Sequence, residues 1–334
     1  MDSIAKLSDN ERKELFQATA YKMGIQETII EKDFWVCFLL NHLFHDSIYK
    51  DYFVFKGGTS LSKAYNVIKR FSEDIDLILD WTRLNYKPEE PWEERSKNQQ
   101  DKFNKEMNRL ASEFYSEKLI PELNKEIENK IGKAGLFVLH ENDPMIVKFE
   151  YPVLFPDSND YLRSYVQLEI GPIAEWLPSH NAKIKSFCAE YYPNLFVQSE
   201  TEVRTVDVER TFWEKITILH KICNWPENKP LQKRYARHIY DVYQMYNSNV
   251  KNLAFSKKEL LQKDVTFKEK FYYSKNANYE NATLENIQLV PNGRILDELA
   301  NDYEETKKMI YGEKPDFEAI IKVMKSLEKE LRAL

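Results

Sequence analysis

The sequence predicts an α+β protein: a mixed sheet with flanking helices, followed by a mainly helical C-terminal half. Three observations predict it. Residues 52–79 read as strand, glycine turn, helix and strand. Three further strand candidates, 135–140, 145–155 and 164–170, lie before residue 200. Beyond residue 200 the apolar spacing becomes helical. A boundary near 195–205 divides the chain into a mixed region, 1–200, and a mainly helical region, 201–334.

Each element has its own warrant. Ser8 can cap a helix holding Glu11, Lys13 and Glu14. A second helix follows Thr28, with Trp35, Phe38, Leu39 and Leu43 on one side. The period then changes at Tyr52-Phe53-Val54-Phe55, a short strand that stops at Lys56-Gly57-Gly58. Thr59 is a good N-cap for a helix over 61–70, and Ile75 to Leu79 form the next strand. Residues 88–130 are charged and helical in pattern, with Trp92, Phe103, Leu110, Phe114 and Leu119 as core candidates. After residue 200 the spacing predicts helices over 208–223, 233–246 and 317–331. The segment 250–300, polar and rich in Asn and Lys, gives no clear pattern.

Composition excludes several classes. The 334 residues carry 48 basic and 54 acidic side chains, a net charge of −6, so the whole molecule does not attract DNA or an anionic membrane. A local basic cleft is still compatible with that balance. The three cysteines, Cys37, Cys188 and Cys223, are far apart and form no CxxC pair, which fits a reducing cytosol better than a disulfide framework or a zinc site. The N-terminal stretch has no apolar core of a signal peptide, and no run approaches the roughly 20 apolar residues of a spanning helix. A cytoplasmic protein without membrane contact is expected.

The chemistry concentrates in residues 55–79. Asp74 and Asp76 are two apart in a strand and so share a face. Paired carboxylates repel unless a cation sits between them, and Mg²⁺ ions held by such a pair serve phosphoryl and nucleotidyl transfer. Gly57 and Gly58 are two of only eight glycines. Between a strand and a helix they let backbone amides approach a phosphate, with Thr59, Ser60 and Ser62 adding hydroxyls. A lone glycine pair is usually a tight turn, and a lone Asp-x-Asp usually a surface feature. Their occurrence together, in strand–turn–helix–strand order, is the informative signal.

This block resembles the first motif of the DNA polymerase β-like nucleotidyltransferase superfamily, and more closely the AbiEii/AbiGii toxin family. That family carries roughly Gly-Gly-Thr-x-Leu, a helix, and then Ser-x-Asp-Ile-Asp-Leu. The chain has Gly57-Gly58-Thr59-Ser60-Leu61 and Ser72-Glu73-Asp74-Ile75-Asp76-Leu77. Weaker similarity extends over most of the chain, including Glu31-Lys32-Asp33 with Trp35. The resemblance implies a nucleotidyltransferase fold and a third acid on a neighbouring strand. Glu169, in Tyr165-Val166-Gln167-Leu168-Glu169-Ile170, is the favoured candidate for that third ligand or base, and Glu150 its competitor. A solvent-facing glutamate on an edge strand is the bland alternative.

Two later blocks also resemble the family. In Glu209-Arg210-Thr211-Phe212-Trp213-Glu214-Lys215 the family pattern places a lysine, so Lys215 is a candidate for nucleotide phosphate. In Arg234-Tyr235-Ala236-Arg237-His238-Ile239-Tyr240-Asp241 the family reads Arg-Asp-x-x-Asp, and His238 departs from it. Asp241 either pairs with Arg237 across one helical turn or positions Lys215 or the nucleotide, with Arg234 and Arg237 on phosphate. Lys56, Lys63, Lys69 and Arg70 either line a phosphate-facing cleft or form a solvated helix face.

Taken together the resemblance implies a Mg²⁺-dependent nucleotidyltransferase toxin of a bacterial toxin–antitoxin or phage-defence system. Two ions would lie on Asp74, Asp76 and Glu169, with Lys56, Gly57, Gly58, Thr59, Ser60, Lys63, Lys215 and Arg237 around an NTP. The acceptor would be an RNA, the 3′ end of tRNA in some relatives, and a cognate antitoxin would be the protein partner. Transfer to a protein or small molecule, and a non-catalytic nucleotide-binding module, are the rival readings.

Overall fold

The structure is a computed structural model that describes residues 1–132, 135–156, 163–175 and 177–334. The chain divides into two units. Residues 1–64 and 72–206 form the first, and residues 65–71 and 207–334 the second.

In the first unit, helices α1 (Asp2–Ala5), α2 (Asp9–Met23) and α3 (Glu27–Asn41) come before the sheet. Ser8 and Glu11 form a reciprocal capping box at the start of α2, and Gly24 closes it in the left-handed conformation. The strands are β1 (Phe53–Lys56), β2 (Asp74–Leu79), β3 (Leu136–Leu139), β4 (Ile146–Glu150), β5 (Val166–Gly171), β6 (Ser179–Ile184) and β7 (Thr201–Val206). Helix α4 (Gly57–Lys63) joins β1 to the segment before β2, α5 (Lys97–Phe114) and α6 (Ile120–Ile131) precede β3, and α7 (Phe187–Tyr191) follows β6. Among the described residues these strands make one mixed sheet in the order β3-β4-β5-β2-β1-β7-β6. The pairs β2–β5 and β1–β7 are parallel.

The two faces of β2 differ. Ile75 and Leu77 are buried on one face. On β5 the in-register neighbour of Ile75 is Leu168, and Val147 of β4 pairs with Leu168 in turn. Helix α3 covers this face, with Trp35 against Phe149 and stacked on Tyr151. The other face is apolar only at its far end, where Ile78 joins Val54, Ala174 and Val206. Its near end carries Asp74 and Asp76.

Helix α3 is buried over most of its length, including three consecutive charged residues. Each is balanced by a remote segment. The Glu31 carboxylate accepts from the backbone N–H groups of Leu154 (2.7 Å) and Phe155 (3.0 Å). Burial still lifts its pKa to about 7. Lys32 donates to Glu73 (2.6 Å) and to the carbonyl of Arg163 (2.9 Å). Asp33 pairs with Lys63 and accepts from the N–H of Phe187 (2.6 Å).

The second unit is helical: α8 (Val208–Cys223), α9 (Ala236–Tyr246), α10 (Val250–Ser256), α11 (Glu259–Phe271), α12 (Gly293–Thr306) and α13 (Phe317–Arg332). Residues 65–71 dock here through Phe71 N–H to the Met309 carbonyl (2.8 Å) and Tyr311 N–H to the Lys69 carbonyl (2.9 Å). Among the described residues no helix is long and apolar enough to cross a membrane.

Several expectations are corrected. The helix expected over 61–70 starts at Gly57 and ends at Lys63. Thr59 is therefore inside it, and its hydroxyl donates to the carbonyls of Asp74 and Ser72 instead of capping. Asn66 then takes a left-handed conformation (φ 51°), which a helix cannot accommodate. The helix expected from 233 starts at Ala236, because Arg234 has φ 68° and the Asp302 carboxylate accepts from the N–H groups of Arg234 and Ala236 (2.7 Å each). Strands β6 and β7 come in addition to the strands that the sequence predicts. β6 is mostly polar, whereas β7 does alternate, with Thr201, Val203 and Thr205 inward. Segment 250–300 contains α10, α11 and the start of α12, with a non-helical stretch held by buried Ile287 and Leu289.

Replacing Lys32 by Met leaves the Glu73 carboxylate buried without its cation. Urea unfolding should show a loss of about 3–5 kcal/mol, and the double replacement Lys32→Met/Glu73→Met should recover most of it. Equal losses in the single and double variants would show that the ion pair is not what holds these segments.

Candidate functional site

The strand register builds the acidic face. In β2, Asp76 has Lys56 of β1 as its partner on one side and Glu169 of β5 on the other. Asp74 has Gln167 of β5 beside it. Period two then sets Asp74, Asp76, Gln167 and Glu169 on a single face. Glu150 is an exposed strand end on β4, with β5 between it and β2. Glu169, not Glu150, is thus the acid next to Asp76.

The glycine turn is tied to the same carboxylate. Gly57 has φ 82°, a conformation that L side chains rarely adopt. A Cβ there would lie 1.9 Å from Oδ2 of Asp76 and 2.6 Å from its carboxyl carbon. Only glycine lets the backbone pass this close to Asp76. Gly58 follows within the first turn of α4.

A hydrogen-bonded chain crosses the face. The Arg163 guanidinium reaches Oδ1 of Asp74 (3.4 Å) and donates to the side-chain oxygen of Gln167. Gln167 donates through its amide to Oε1 of Glu169 (2.7 Å). Burial lifts the Asp74 carboxyl to a pKa of about 6, with the neighbouring Glu73 charge raising it further and Arg163 opposing. Among the described residues no group of three or more His, Cys, Asp or Glu side chains converges as a metal cage. Two of the acidic groups are instead turned to Arg163 and Gln167.

Not every candidate near the turn faces open space. Lys63 is buried against Asp33, with its ammonium 3.6 Å from the centre of the Phe187 ring. Its ammonium is therefore committed to Asp33 and Phe187 in this structure. Thr59 and Ser60 are both buried, and the Ser60 hydroxyl donates to the Gly57 carbonyl (2.8 Å). Their protons brace the turn rather than point at a ligand.

The second unit gathers another set. Asp241 on α9 is fully buried. Arg70 grips it with two bonds, 2.7 and 2.8 Å, and Lys215 of α8 pairs with it at 2.8 Å. Burial works against the Asp241 charge, but Arg70 and Lys215 overcome it and hold the carboxyl below its ordinary range. Asp241 is thus unsuited to accept a proton. The expected Arg237–Asp241 pair does not form, and Arg237 makes no ion pair among the described residues. Lys215 is not a helix-surface lysine. Burial lowers its pKa, Asp241 opposes, and Nδ1 of His238 lies 3.4 Å away. Burial and the adjacent cations keep His238 neutral. Lys56, Lys63, Lys69 and Arg70 do not make one solvated face, since Lys63 and Arg70 are each buried in ion pairs.

Sequence reasoning missed Arg163, Gln167 and the Lys32–Glu73 pair. Gln167 was legible as the same-face neighbour of Glu169, and Lys32 as a charge inside an apolar helical run. Arg163 carries no sequence signal.

An acidic pair on a central strand, a third acid in register with Asp76 and a glycine turn pressed on Asp76 fit the arrangement that the resemblance to a nucleotidyltransferase implies. The family model described as "Nucleotidyl transferase AbiEii toxin, Type IV TA system" matches residues 39–323, and the chain belongs to that family. It is a nucleotidyltransferase toxin of a type IV toxin–antitoxin system, a family that works with an antitoxin partner. Among solved structures it is similar to MenT4, a nucleotidyltransferase toxin from Mycobacterium tuberculosis H37Rv, at 15% identity and a TM-score of 0.41, covering 96% of this chain and 99% of that one. The curated proteins gave no match.

Two variants separate the roles of the acids. The raised pKa of Asp74 means that the folded state favours its neutral form. Its stability contribution is largest below the unfolded value near 4 and is lost as pH rises through about 6. Asp74→Asn should therefore raise metal-free stability at pH 7, by up to about 3 kcal/mol, and change it little at pH 4. Thermal unfolding at the two pH values reads this directly. Asp241→Asn should act in the opposite sense, costing about 3–5 kcal/mol at neutral pH because two buried cations lose their counter-charge. A neutral effect in urea unfolding would show that solvent already screens the cluster.

Proposed function

We propose that the first unit transfers a nucleoside monophosphate from an NTP to a hydroxyl of RNA, the 3′ end of tRNA being the preferred acceptor, with Mg²⁺ as the metal. The observation that carries this is the in-register trio Lys56, Asp76 and Glu169 with Gly57 pressed against Asp76. The donors suit the metal: all are hard carboxylate oxygens, and Arg163 already lies on Asp74 as a cation. Asp74, Asp76 and Glu169 would hold it. When bound, Mg²⁺ supplies charge neutralisation at the triphosphate and activation of the attacking hydroxyl.

The protein's own residues do the rest. Gly57 and Gly58 admit the triphosphate close to the backbone. Lys56, beside Asp76, offers charge for phosphate. Attack of the acceptor oxygen on the α-phosphorus forms the new P–O bond, and the bond to the β-phosphate breaks to release pyrophosphate. In the second unit Lys215 of α8 is assigned to phosphate with Asp241 of α9 positioning it, and Arg237, one helical turn before Asp241 on α9, is assigned to phosphate as well. A cytoplasmic setting, a cognate antitoxin and a role against phage accompany this reading.

The test is incubation of purified protein with total cellular RNA, Mg²⁺ and each α-labelled NTP in turn, beside Asp76→Ala. Label on one RNA band, absent with the variant, is the expected result and identifies donor and acceptor together. RNA binding should also weaken steeply with salt. Label that persists with Asp76→Ala would overturn the assignment of the carboxylates, and label on protein alone would overturn the RNA acceptor.

A further inference from the structure

The second unit carries a segment whose charge runs against that of the chain. Residues 221–237 hold Lys221, Lys229, Lys233, Arg234 and Arg237 against a single acid, Glu227, in a protein of net charge −6. Lys229 and Lys233 are exposed, and neither they nor Lys221 and Arg237 make an ion pair among the described residues. The two α12 carboxylates that reach this segment are already taken. Glu298 accepts from the N–H of Leu231 (2.7 Å) and pairs with Arg294, and Asp302 accepts from the N–H groups of Arg234 and Ala236.

Three rings follow one another across the segment. Trp225 meets Tyr235 edge-on with 5.8 Å between ring centres, and Tyr235 meets His238 in the same way at 5.8 Å. Trp225 and Tyr235 are half-buried, so part of each ring still faces solvent. The Lys221 ammonium lies 5.9 Å from the centre of the Trp225 ring, and the Arg237 charge acts on the Tyr235 hydroxyl. The inner end of the series is His238, 3.4 Å from the Lys215 ammonium. The rings are held by their frame. The indole N–H of Trp225 donates to the Pro230 carbonyl (3.2 Å), and Arg294 donates to the carbonyls of Pro226 (3.2 Å) and Lys229 (2.8 Å). Arg234 is kept at φ 68°, a conformation that residues with a side chain rarely adopt, by the Asp302 carboxylate on both sides of Tyr235. A segment that only joined α8 to α9 would need neither that strain nor a fixed ring pair in front of unpaired cations.

We propose that Trp225 and Tyr235 form a stacking platform for the unpaired bases of a single-stranded RNA, with Lys221, Lys229 and Lys233 on its phosphates. This deepens the reading of RNA as the acceptor and rests on it. Stacking needs a ring held in place, and backbone contact needs cations beside it; this one segment has both. Every base offers a π-face, but in a duplex those faces are covered by stacking on one another, so the platform favours an unpaired end over a blunt duplex. The series of rings ends at Lys215, so a strand seated on it runs toward the lysine assigned to phosphate.

The experiment uses the full chain without NTP or metal. It follows the fluorescence anisotropy of a short labelled single-stranded RNA, and of the blunt duplex of the same sequence, with the wild type, Trp225→Leu, Trp225→Tyr and Lys229→Gln/Lys233→Gln. The wild type should bind the single strand more tightly than the duplex. Trp225→Leu should lose about tenfold in single-strand affinity, and Trp225→Tyr, which keeps a ring, should stay near the wild type. The double lysine variant should flatten the slope of log affinity against log salt by about 1.4. Undiminished single-strand binding by Trp225→Leu overturns the platform. If that variant melts lower than the wild type, the exposed lysines decide, and an unchanged salt slope overturns the proposal. A loss confined to a fluorescent NTP, with RNA binding intact, overturns it in favour of the donor nucleotide. A wild type that binds neither RNA overturns instead the acceptor reading on which the proposal rests.

Discussion

Glu31, Lys32 and Asp33 sit side by side in α3 with their charged ends out of water, and each is matched by a segment far away in sequence. Glu31 holds the stretch after β4, Lys32 holds the entries to β2 and β5, and Asp33 holds the end of α4 and the start of α7. Leaving such charges unmatched costs several kcal/mol each, so these segments cannot drift independently. The segments fixed in this way are those that carry the glycine turn, Asp74, Asp76 and Glu169. The apolar face of the sheet thus sets the position of the polar one.

The acidic face shows the opposite economy. Its carboxylates are half-buried, and Asp74 is lifted to a pKa of about 6. A core built for stability alone would fill the start of β2 with apolar side chains, as its far end is filled by Ile78 among Val54, Ala174 and Val206. Perturbed carboxyl pKa values of this sort concentrate at functional sites. Gly57 belongs to the same logic. Its missing Cβ leaves the room that the Asp76 carboxylate occupies.

Within the second unit, one carboxylate serves two buried cations. Arg70 takes both oxygens of Asp241 in a planar fork, and Lys215 shares one of them. Both cations draw on the same carboxylate. The neighbouring His238 responds by staying neutral. An aspartate at position 238, as the resembled pattern has it, would add a negative charge beside Lys215. Here the histidine fills that position without adding a charge.

The local signals in the sequence determined the class of the protein. Alternation at Asp74-Ile75-Asp76-Leu77, two scarce glycines after a short strand and helical spacing beyond residue 200 are all short-range features, and short-range features survive in a one-dimensional record. The same holds for Glu169, since its place in an alternating strand already set its face. Only the tertiary structure decided which charges meet. The sequence leaves Lys63 between a phosphate-facing cleft and a solvated face, and the structure pairs it with Asp33; it leaves Arg237 between Asp241 and phosphate, and Asp241 pairs with Arg70 and Lys215. Helix α4 stops at Lys63 because residues 65–71 find their hydrogen bonds in the second unit. Ion pairing is set by distance in space and by burial, and neither is encoded in the spacing of residues along the chain.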